Sequence, residues 1–196
     1  MKTVDQIQTQ LPAGTSRWLR IAPANDCRAP RVMRAARAAA APVFERELSG
    51  PWRVGADGVG LGGRHIRFDA SWDALSDLRD MPDVADFAGQ LRYTLQFELS
   101  REELKAGDLY LDLGTAHDAL SLQLNGDTPW MRSEGPFVFE VTERLVVGTN
   151  TLEIVVANVP ENAHRDPARP GGLPLPGRRL TRLPTGLIGP VLLRTA

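Results

Sequence analysis

The stretch Leu91-Arg-Tyr-Thr-Leu-Gln-Phe-Glu-Leu99 decides the fold, because apolar and polar side chains alternate along it without a break. Successive side chains of a β-strand point to opposite faces of a sheet, so this pattern indicates a strand with one buried face. The alternation returns in residues 109–113, 120–124, 137–141 and 152–157, and a last apolar run covers 191–193. Sheets that each bury one face must pack against each other. The sequence therefore predicts an all-β protein built as a two-sheet antiparallel β-sandwich.

Turn-forming residues separate the predicted strands. Asn125-Gly126-Asp127 follows one alternating stretch and is a strong hairpin signal. Gly148-Thr149-Asn150 predicts a turn that leads into the next core strand, and the glycine-rich residues 58–63 predict a hairpin before a strand. Residues 158–186 contain five prolines before Pro184, which predicts one long loop.

The first 44 residues form a predicted N-terminal extension, and residues 45–196 the sandwich domain. Residues 3–22 carry apolar side chains on both sides of Pro12-Ala13-Gly14. This pattern fits the last hairpin of a preceding β-domain or a strand docked on the sandwich edge, and both alternatives stay open. Residues 23–44 are rich in alanine and predict a helix or a linker. Their arginines recur every three positions and predict a solvated basic face: Arg28, Arg31, Arg34 and Arg37.

Charge and hydropathy exclude two classes of partner. The chain has 23 basic and 24 acidic side chains, so its net charge of −1 provides no broad field for nucleic acid or an anionic membrane. No apolar stretch reaches the roughly 18–20 residues that span a bilayer. Residues 1–20 lack the apolar run of a secretory signal. The chain as it stands is expected to be cytoplasmic, although its localisation in a longer protein is unknown.

Motifs for metal binding and for catalysis are not apparent. His65, His117 and His164 are widely separated, and Cys27 is alone, so no metal site and no cofactor are expected. Neither a nucleophile elbow nor a phosphate-binding loop occurs. Asp112, Glu140 and Glu153 fall at outward positions of predicted strands, whereas glycoside hydrolysis needs two carboxylates held close together. The chain is not expected to be catalytic alone.

Several short motifs follow one another in a recognisable order: Leu111-Asp-Leu-Gly114, Leu124-Asn-Gly126, Pro136 to Thr142, Gly148 to Glu153, and Gly186 to Val191. This order resembles the sugar-binding jelly-roll domain of family 2 glycoside hydrolases, and still more the C-terminal domain of rhamnosidase-type enzymes. The resemblance covers about residues 45–194. It implies a galactose-binding-domain-like sandwich, carbohydrate as a partner, and association with the catalytic domain of a larger hydrolase. A structural calcium is implied by the resemblance alone.

Sugar recognition uses an aromatic surface together with planar polar groups that pair with hydroxyls. We expect loops at one end of the sandwich to bring together three groups of ligand-binding residues: Trp130 and Arg132; His117 and Asp118; and Asn158, His164 and Arg165. The alternative is that Trp130 packs under its own hairpin and that the charged groups are only solvated.

Three functions remain open at this point. The first is a non-catalytic carbohydrate-binding or accessory domain of a glycoside hydrolase. The second is a stand-alone glycan-active enzyme that uses the carboxylates of Asp112, Asp118 or Glu134. The third is a protein-interaction or oligomerisation sandwich that uses its edge strands or its N-terminal segment.

Overall fold

The structure is a computed structural model, and it describes residues 44–164 and 183–195. Within these ranges the chain forms twelve strands and two one-turn helices. The strands are β1 Glu45–Glu47, β2 Trp52–Val59, β3 His65–Trp72, β4 Ala88–Leu99, β5 Leu109–Asp112, β6 Thr115–His117, β7 Ala119–Leu124, β8 Trp130–Arg132, β9 Val138–Glu140, β10 Gly148–Ala157, β11 Gly186–Gly189 and β12 Leu192–Thr195. The helices are α1 Arg101–Leu104 and α2 Glu161–His164.

The strands form two principal antiparallel sheets and one short pair. The larger sheet has the order β3-β2-β4-β10-β7-β8, the smaller one the order β1-β12-β5-β9, and β11 pairs with β6. One continuous core contains buried side chains from both principal sheets, including Leu95 and Ile154 of the larger and Leu111 and Phe139 of the smaller. The predicted all-β sandwich is confirmed. The predicted N-terminal extension lies outside the described residues except for Phe44.

The alternating stretch Leu91–Leu99 lies in β4, at the centre of the larger sheet. β4 pairs with β10 along its length, with Leu91 opposite Val156 and Leu95 opposite Leu152. All four side chains are buried. Burying one large apolar side chain stabilises a fold by about 1.5–3 kcal/mol, so this strand pair contributes a large share of the core.

One local prediction is wrong in detail. Residues 148–150, predicted as a turn, are the first residues of β10, and Asn150 is fully buried there. Thr142 forms a contact between distant parts of the chain, because its Oγ1 accepts a hydrogen bond from the amide of Leu109, 33 positions away, at 2.8 Å. Thr142 therefore ties the end of β9 to the start of β5.

The tight turns follow the glycine and asparagine signals. Asn125 has a φ of 53° and Gly126 a φ of 76°, which is the left-handed geometry of a tight hairpin turn between β7 and β8. The predicted glycine-rich hairpin joins β2 to β3 through a short 3-10 turn at Leu61–Gly63.

A charged contact fixes edge strand β1. The Arg46 guanidinium lies 2.6 Å from a carboxylate oxygen of Glu103 in α1 and donates to the Glu98 carbonyl at 2.8 Å. Glu103 also forms a capping box with Ser100. Burial alone would raise the pKa of the Glu103 carboxyl, but hydrogen bonds from Ser100 and the charge of Arg46 together lower that pKa.

Candidate functional site

Two of the predicted groups meet at one end of the larger sheet. His117 ends β6, opposite Gly186 of β11, and Ala119 at the start of β7 lies opposite Ala157 at the end of β10. The carboxylate of Asp118 accepts a hydrogen bond from the Val159 amide at 3.0 Å. We call His117–Asp118 together with Asn158–His164 the loop end.

Asn158 holds the loop end to the neighbouring strand. Its Nδ2 donates to the Phe87 carbonyl at 2.8 Å, and its Oδ1 accepts from the Gly89 amide at 2.7 Å. These contacts join the end of β10 to the start of β4 across about seventy positions of sequence. Asn158 thus has a structural role that a polar residue after a strand does not reveal by itself.

The hairpin between β2 and β3 is anchored beside the loop end. The carboxylate of Asp86 accepts from the Leu61 amide at 2.6 Å and from the Arg64 guanidinium at 3.0 Å. Helix α2 contacts the 3-10 turn of this hairpin. His164 is the last residue of α2, and Arg165 lies outside the described residues.

A cluster of buried polar side chains anchors the backbone at residues 183–185, where the described chain resumes. The Asn162 side chain exchanges two hydrogen bonds with the Leu183 backbone, at 2.8 and 2.9 Å. The Thr185 amide donates to Oδ1 of Asp77 at 3.0 Å. The other oxygen of Asp77, Oδ2, has no hydrogen-bond donor in suitable geometry but lies 3.1 Å from the Arg79 guanidinium, which balances its charge.

Tyr93, a buried core residue, contributes its hydroxyl to this cluster. Its hydroxyl accepts a hydrogen bond from the Leu187 amide at 3.1 Å. Burial raises the pKa of Tyr93 to about 12, and the nearby charge of Asp77 acts in the same direction. The alternating pattern predicts Tyr93 in a strand but contains no signal that its hydroxyl holds a segment 94 positions away.

Trp130 and Arg132 lie on β8, the edge strand of the larger sheet that pairs with β7. The Trp130 ring is half-buried against Phe139, with ring centroids 5.9 Å apart, and the Arg144 guanidinium lies 3.5 Å above the ring. Arg144 is itself held by Asp127 at 3.0 Å. A sugar could stack on this face of Trp130 only after Arg144 had moved away.

The Arg132 side chain packs against Phe139, the aromatic partner of Trp130. Its guanidinium lies 4.5 Å from the Phe139 ring centroid and donates to the Pro136 carbonyl at 2.5 Å. By their contacts, the predicted site residues therefore form two groups. His117, Asp118 and Asn158 belong to the loop end, whereas Trp130 and Arg132 belong to a packed edge next to β9.

Three of the outward or candidate carboxylates are bound by cations or backbone amides. Asp112 accepts from the Arg194 guanidinium at 3.0 Å and from the Gly114 amide at 3.1 Å. Glu153 pairs with Arg92 across the strands. Asp118 accepts the Val159 amide, and Glu134 is exposed. These contacts explain Asp112, Asp118 and Glu153 as structural groups.

The described part of the chain contains neither a cluster of metal-binding side chains nor a membrane-spanning helix. Within residues 44–164 and 183–195, no three His, Cys, Asp or Glu side chains are grouped closely enough to hold a metal ion. Neither described helix is long and apolar enough to cross a membrane.

Comparison with known proteins relates the chain to segments of large hydrolases. No family model matches it. A Formosa agariphila protein named "Putative beta-glucuronidase" is 30% identical over 115 residues, which are 57% of this chain and 10% of that protein. A rhamnosidase structure from Novosphingobium sp. PP1Y matches with a TM-score of 0.59 and 28% identity, over 83% of this chain and 16% of that one.

A β-glucuronidase structure from Ruminococcus gnavus, in complex with D-glucuronic acid, matches with a TM-score of 0.53 and 18% identity, over 78% of this chain and 29% of that one. At this identity the match supports the fold alone. The resemblance to glycoside hydrolase domains is confirmed. The chain spans about a tenth of the curated relative and about a sixth of the rhamnosidase.

Proposed function

We propose that this chain is a non-catalytic accessory domain of a glycoside hydrolase, and that its loop end contacts carbohydrate. The observation that carries the proposal is the rhamnosidase match, which relates most of this chain to a small part of a much larger enzyme. In such an arrangement the catalytic domain is a separate part of the protein, because a catalytic barrel alone typically takes about 250 residues.

The contacts of the carboxylates support the non-catalytic part. A general acid and a nucleophile or base must face a shared substrate and exchange protons with it. Asp112 and Asp118 instead accept backbone amides, and Asp112 also pairs with Arg194. Removing either carboxylate is therefore expected to weaken local structure rather than to abolish turnover.

The loop end supports the carbohydrate part. The His117 side chain is half-exposed beside Asp118, and its ring forms no hydrogen bond or ion pair with the other residues that the structure describes. An imidazole next to a carboxylate offers both a donor and an acceptor to sugar hydroxyls. Asn158, Asp86 and Asn162 fix the surrounding backbone, so the site needs little reorganisation on binding. Trp130 and Arg132 remain proposed contacts, and stacking on Trp130 requires Arg144 to move.

Calorimetric titration tests the binding. The full chain is titrated with oligosaccharides that contain rhamnose, galactose or glucuronic acid, and we expect weak binding of at least one, with a Kd of about 1 mM or below. His117→Ala should weaken it by at least about fivefold. Gln96→Ala, on an exposed position of β4 away from the loop end, should leave it unchanged. No heat from any of the three classes would remove carbohydrate binding from the proposal.

Hydrolysis assays test the non-catalytic part separately. The purified chain should release no product from a broad set of aryl glycosides. Turnover that disappears in Asp118→Asn or Asp112→Asn would overturn the proposal in favour of a stand-alone enzyme.

A further inference from the structure

The outer face of the smaller sheet has two cross-strand rows of side chains. One row is Glu47, Leu192, Asp112 and Val138, and the other is Glu45, Arg194, Tyr110 and Glu140. The intervening residues of β12, β5 and β9 are buried in the core, so these eight side chains point away from it. We call this surface the outer face of the smaller sheet.

Carboxylates dominate this face. It has four acidic side chains and one arginine, and Arg194 is already paired with Asp112 at 3.0 Å. Glu45, Glu47 and Glu140 are exposed, and no described cation pairs with them. Leu192 and Val138 are half-buried and lie on either side of Asp112 in the first row. The face therefore offers acidic side chains with single apolar side chains among them, which suits a segment that combines small apolar side chains with arginines.

The chain has such a segment immediately before this sheet. Residues 28–37 contain four arginines among alanines, together with Val32 and Met33. The described chain starts at Phe44, whose carbonyl accepts the Thr195 amide at 2.9 Å, at the edge of the same sheet. Eight residue-to-residue steps separate Arg37 from Glu45 and can extend about 27 Å. The four strands are about 14 Å across, so the segment can reach every position of the face.

We propose that residues 28–37 dock on the outer face of the smaller sheet, with their arginines against Glu45, Glu47 and Glu140. The occupant is this segment of the same chain, rather than a second copy or another part of a larger hydrolase. This inference does not depend on the proposed function. If the segment covers this face, any contact between this chain and a catalytic domain uses another surface.

Cys27 provides the test, because it is the chain's single cysteine and immediately precedes the segment. We would introduce a second cysteine by Val138→Cys on the proposed face, or by Gln96→Cys on the opposite outer face as the matched control. The Arg46 guanidinium reaches the Glu98 carbonyl, so position 96 lies near the exit of the segment. Eighteen residues can extend about 60 Å, so an undocked segment would reach both positions.

We expect the disulfide from Cys27 to form within one chain, and about tenfold faster at position 138 than at position 96, because docking raises the local concentration of Cys27. The preference should shrink in 1 M NaCl, where the screening length is about 3 Å. It should disappear when Arg28, Arg31, Arg34 and Arg37 are all replaced by Glu. Unchanged urea midpoints establish that both cysteine variants fold, and the exposed Glu140→Cys replaces Val138→Cys if that variant does not fold.

Three results would overturn the inference. The first is an equal rate at positions 138 and 96, or a faster rate at position 96. The second is a preference for position 138 that survives reversal of the four arginine charges. The third is a disulfide at position 138 that forms between two chains at a rate proportional to protein concentration, which would place a second copy on the face.

Discussion

The side-chain amide of Asn125 donates a hydrogen bond from Nδ2 to Oδ1 of Asn150, at 2.8 Å. Two short motifs, Leu124-Asn-Gly126 and Gly148-Thr-Asn150, are therefore two halves of one structural unit. Asn150 also donates to the Val146 and Gly148 carbonyls and accepts the Val146 amide. Asn125 accepts the Thr151 amide and donates to the Arg144 carbonyl, so the pair also positions the residue that covers Trp130.

Replacing Asn150 should weaken the whole domain. Asn150→Ala leaves the polar groups of Val146 and Gly148 and the Asn125 amide without their buried partner. We expect the free energy of unfolding to fall by about 2–3 kcal/mol, measured by urea denaturation. Thr151→Ala, on the outward side of the same strand, is the control and should change it by less than about 0.5 kcal/mol.

A double-mutant cycle with Asn125→Ala measures the direct contact. The two side chains form a hydrogen bond with each other. The decreases in unfolding free energy caused by the two single substitutions should therefore not add, and we expect a coupling energy of about 1 kcal/mol. Additive losses would contradict the assignment of these two motifs to one unit.

Gly186 has no room for a side chain. Its φ is +97°, and a Cβ built there would lie 2.4 Å from the Tyr93 hydroxyl oxygen. We expect Gly186→Ala to lower the free energy of unfolding by about 3 kcal/mol, from backbone strain and overpacking together.

Gly62→Ala is the matched control for that substitution. Gly62 has a φ of +77° but no atom within 4 Å of the added Cβ, so only strain of about 1 kcal/mol is expected. Removal of the hydroxyl by Tyr93→Phe should lower the free energy of unfolding by less in the Gly186→Ala variant than in the parent chain. An equal cost in both backgrounds would mean that the hydroxyl is not the obstacle.

Glu103 should make the domain sensitive to acid. The pKa of its carboxyl is lowered in the folded chain, so its contribution is present above the unfolded pKa and is lost as pH falls through the folded one. We expect the urea midpoint of the parent chain to fall more steeply than that of Glu103→Gln between about pH 5 and pH 3. Glu102→Gln, the exposed neighbour in α1, should retain the parent's slope. Identical slopes for all three chains would rule out Glu103 as the cause.

Arg144 should act as a cover over Trp130. Arg144→Ala removes a guanidinium that lies 3.5 Å from the ring centroid and should lower the free energy of unfolding by about 1 kcal/mol. It also exposes an aromatic face, on which we expect oligosaccharides to bind about threefold more tightly in the same titration. Arg92→Ala, which breaks an exposed ion pair with Glu153, is the control. Unchanged or weaker binding in Arg144→Ala would exclude Trp130 as a stacking surface.

The sequence predicted the strands whose faces differ most in polarity. Leu91–Leu99 became β4 with only a short addition at its start, because alternation is a local property that a sheet preserves. Strands β6 and β11 gave no such signal. They are only three and four residues long and depend on pairing between His117 and Gly186, which are far apart in sequence.

The site was harder to predict than the fold for the same reason. Asn158 and Asp118 have the chemistry of sugar ligands, but their partners are backbone groups of Phe87, Gly89 and Val159. Residue type cannot distinguish an amide that will bind a ligand from one that will tie two strands together. Only the three-dimensional pairing assigns Asn158 to the second role.

The position of β12 in the smaller sheet has a consequence for how the protein is made. β12 lies between β1 and β5, and Phe44 bonds to Thr195, 151 positions later. The smaller sheet therefore stays divided until the ribosome has released the last residues of the domain. Such distant pairing slows folding, so the apolar face of β5, which contains Leu109 and Leu111, has to wait for a strand that has yet to be synthesised.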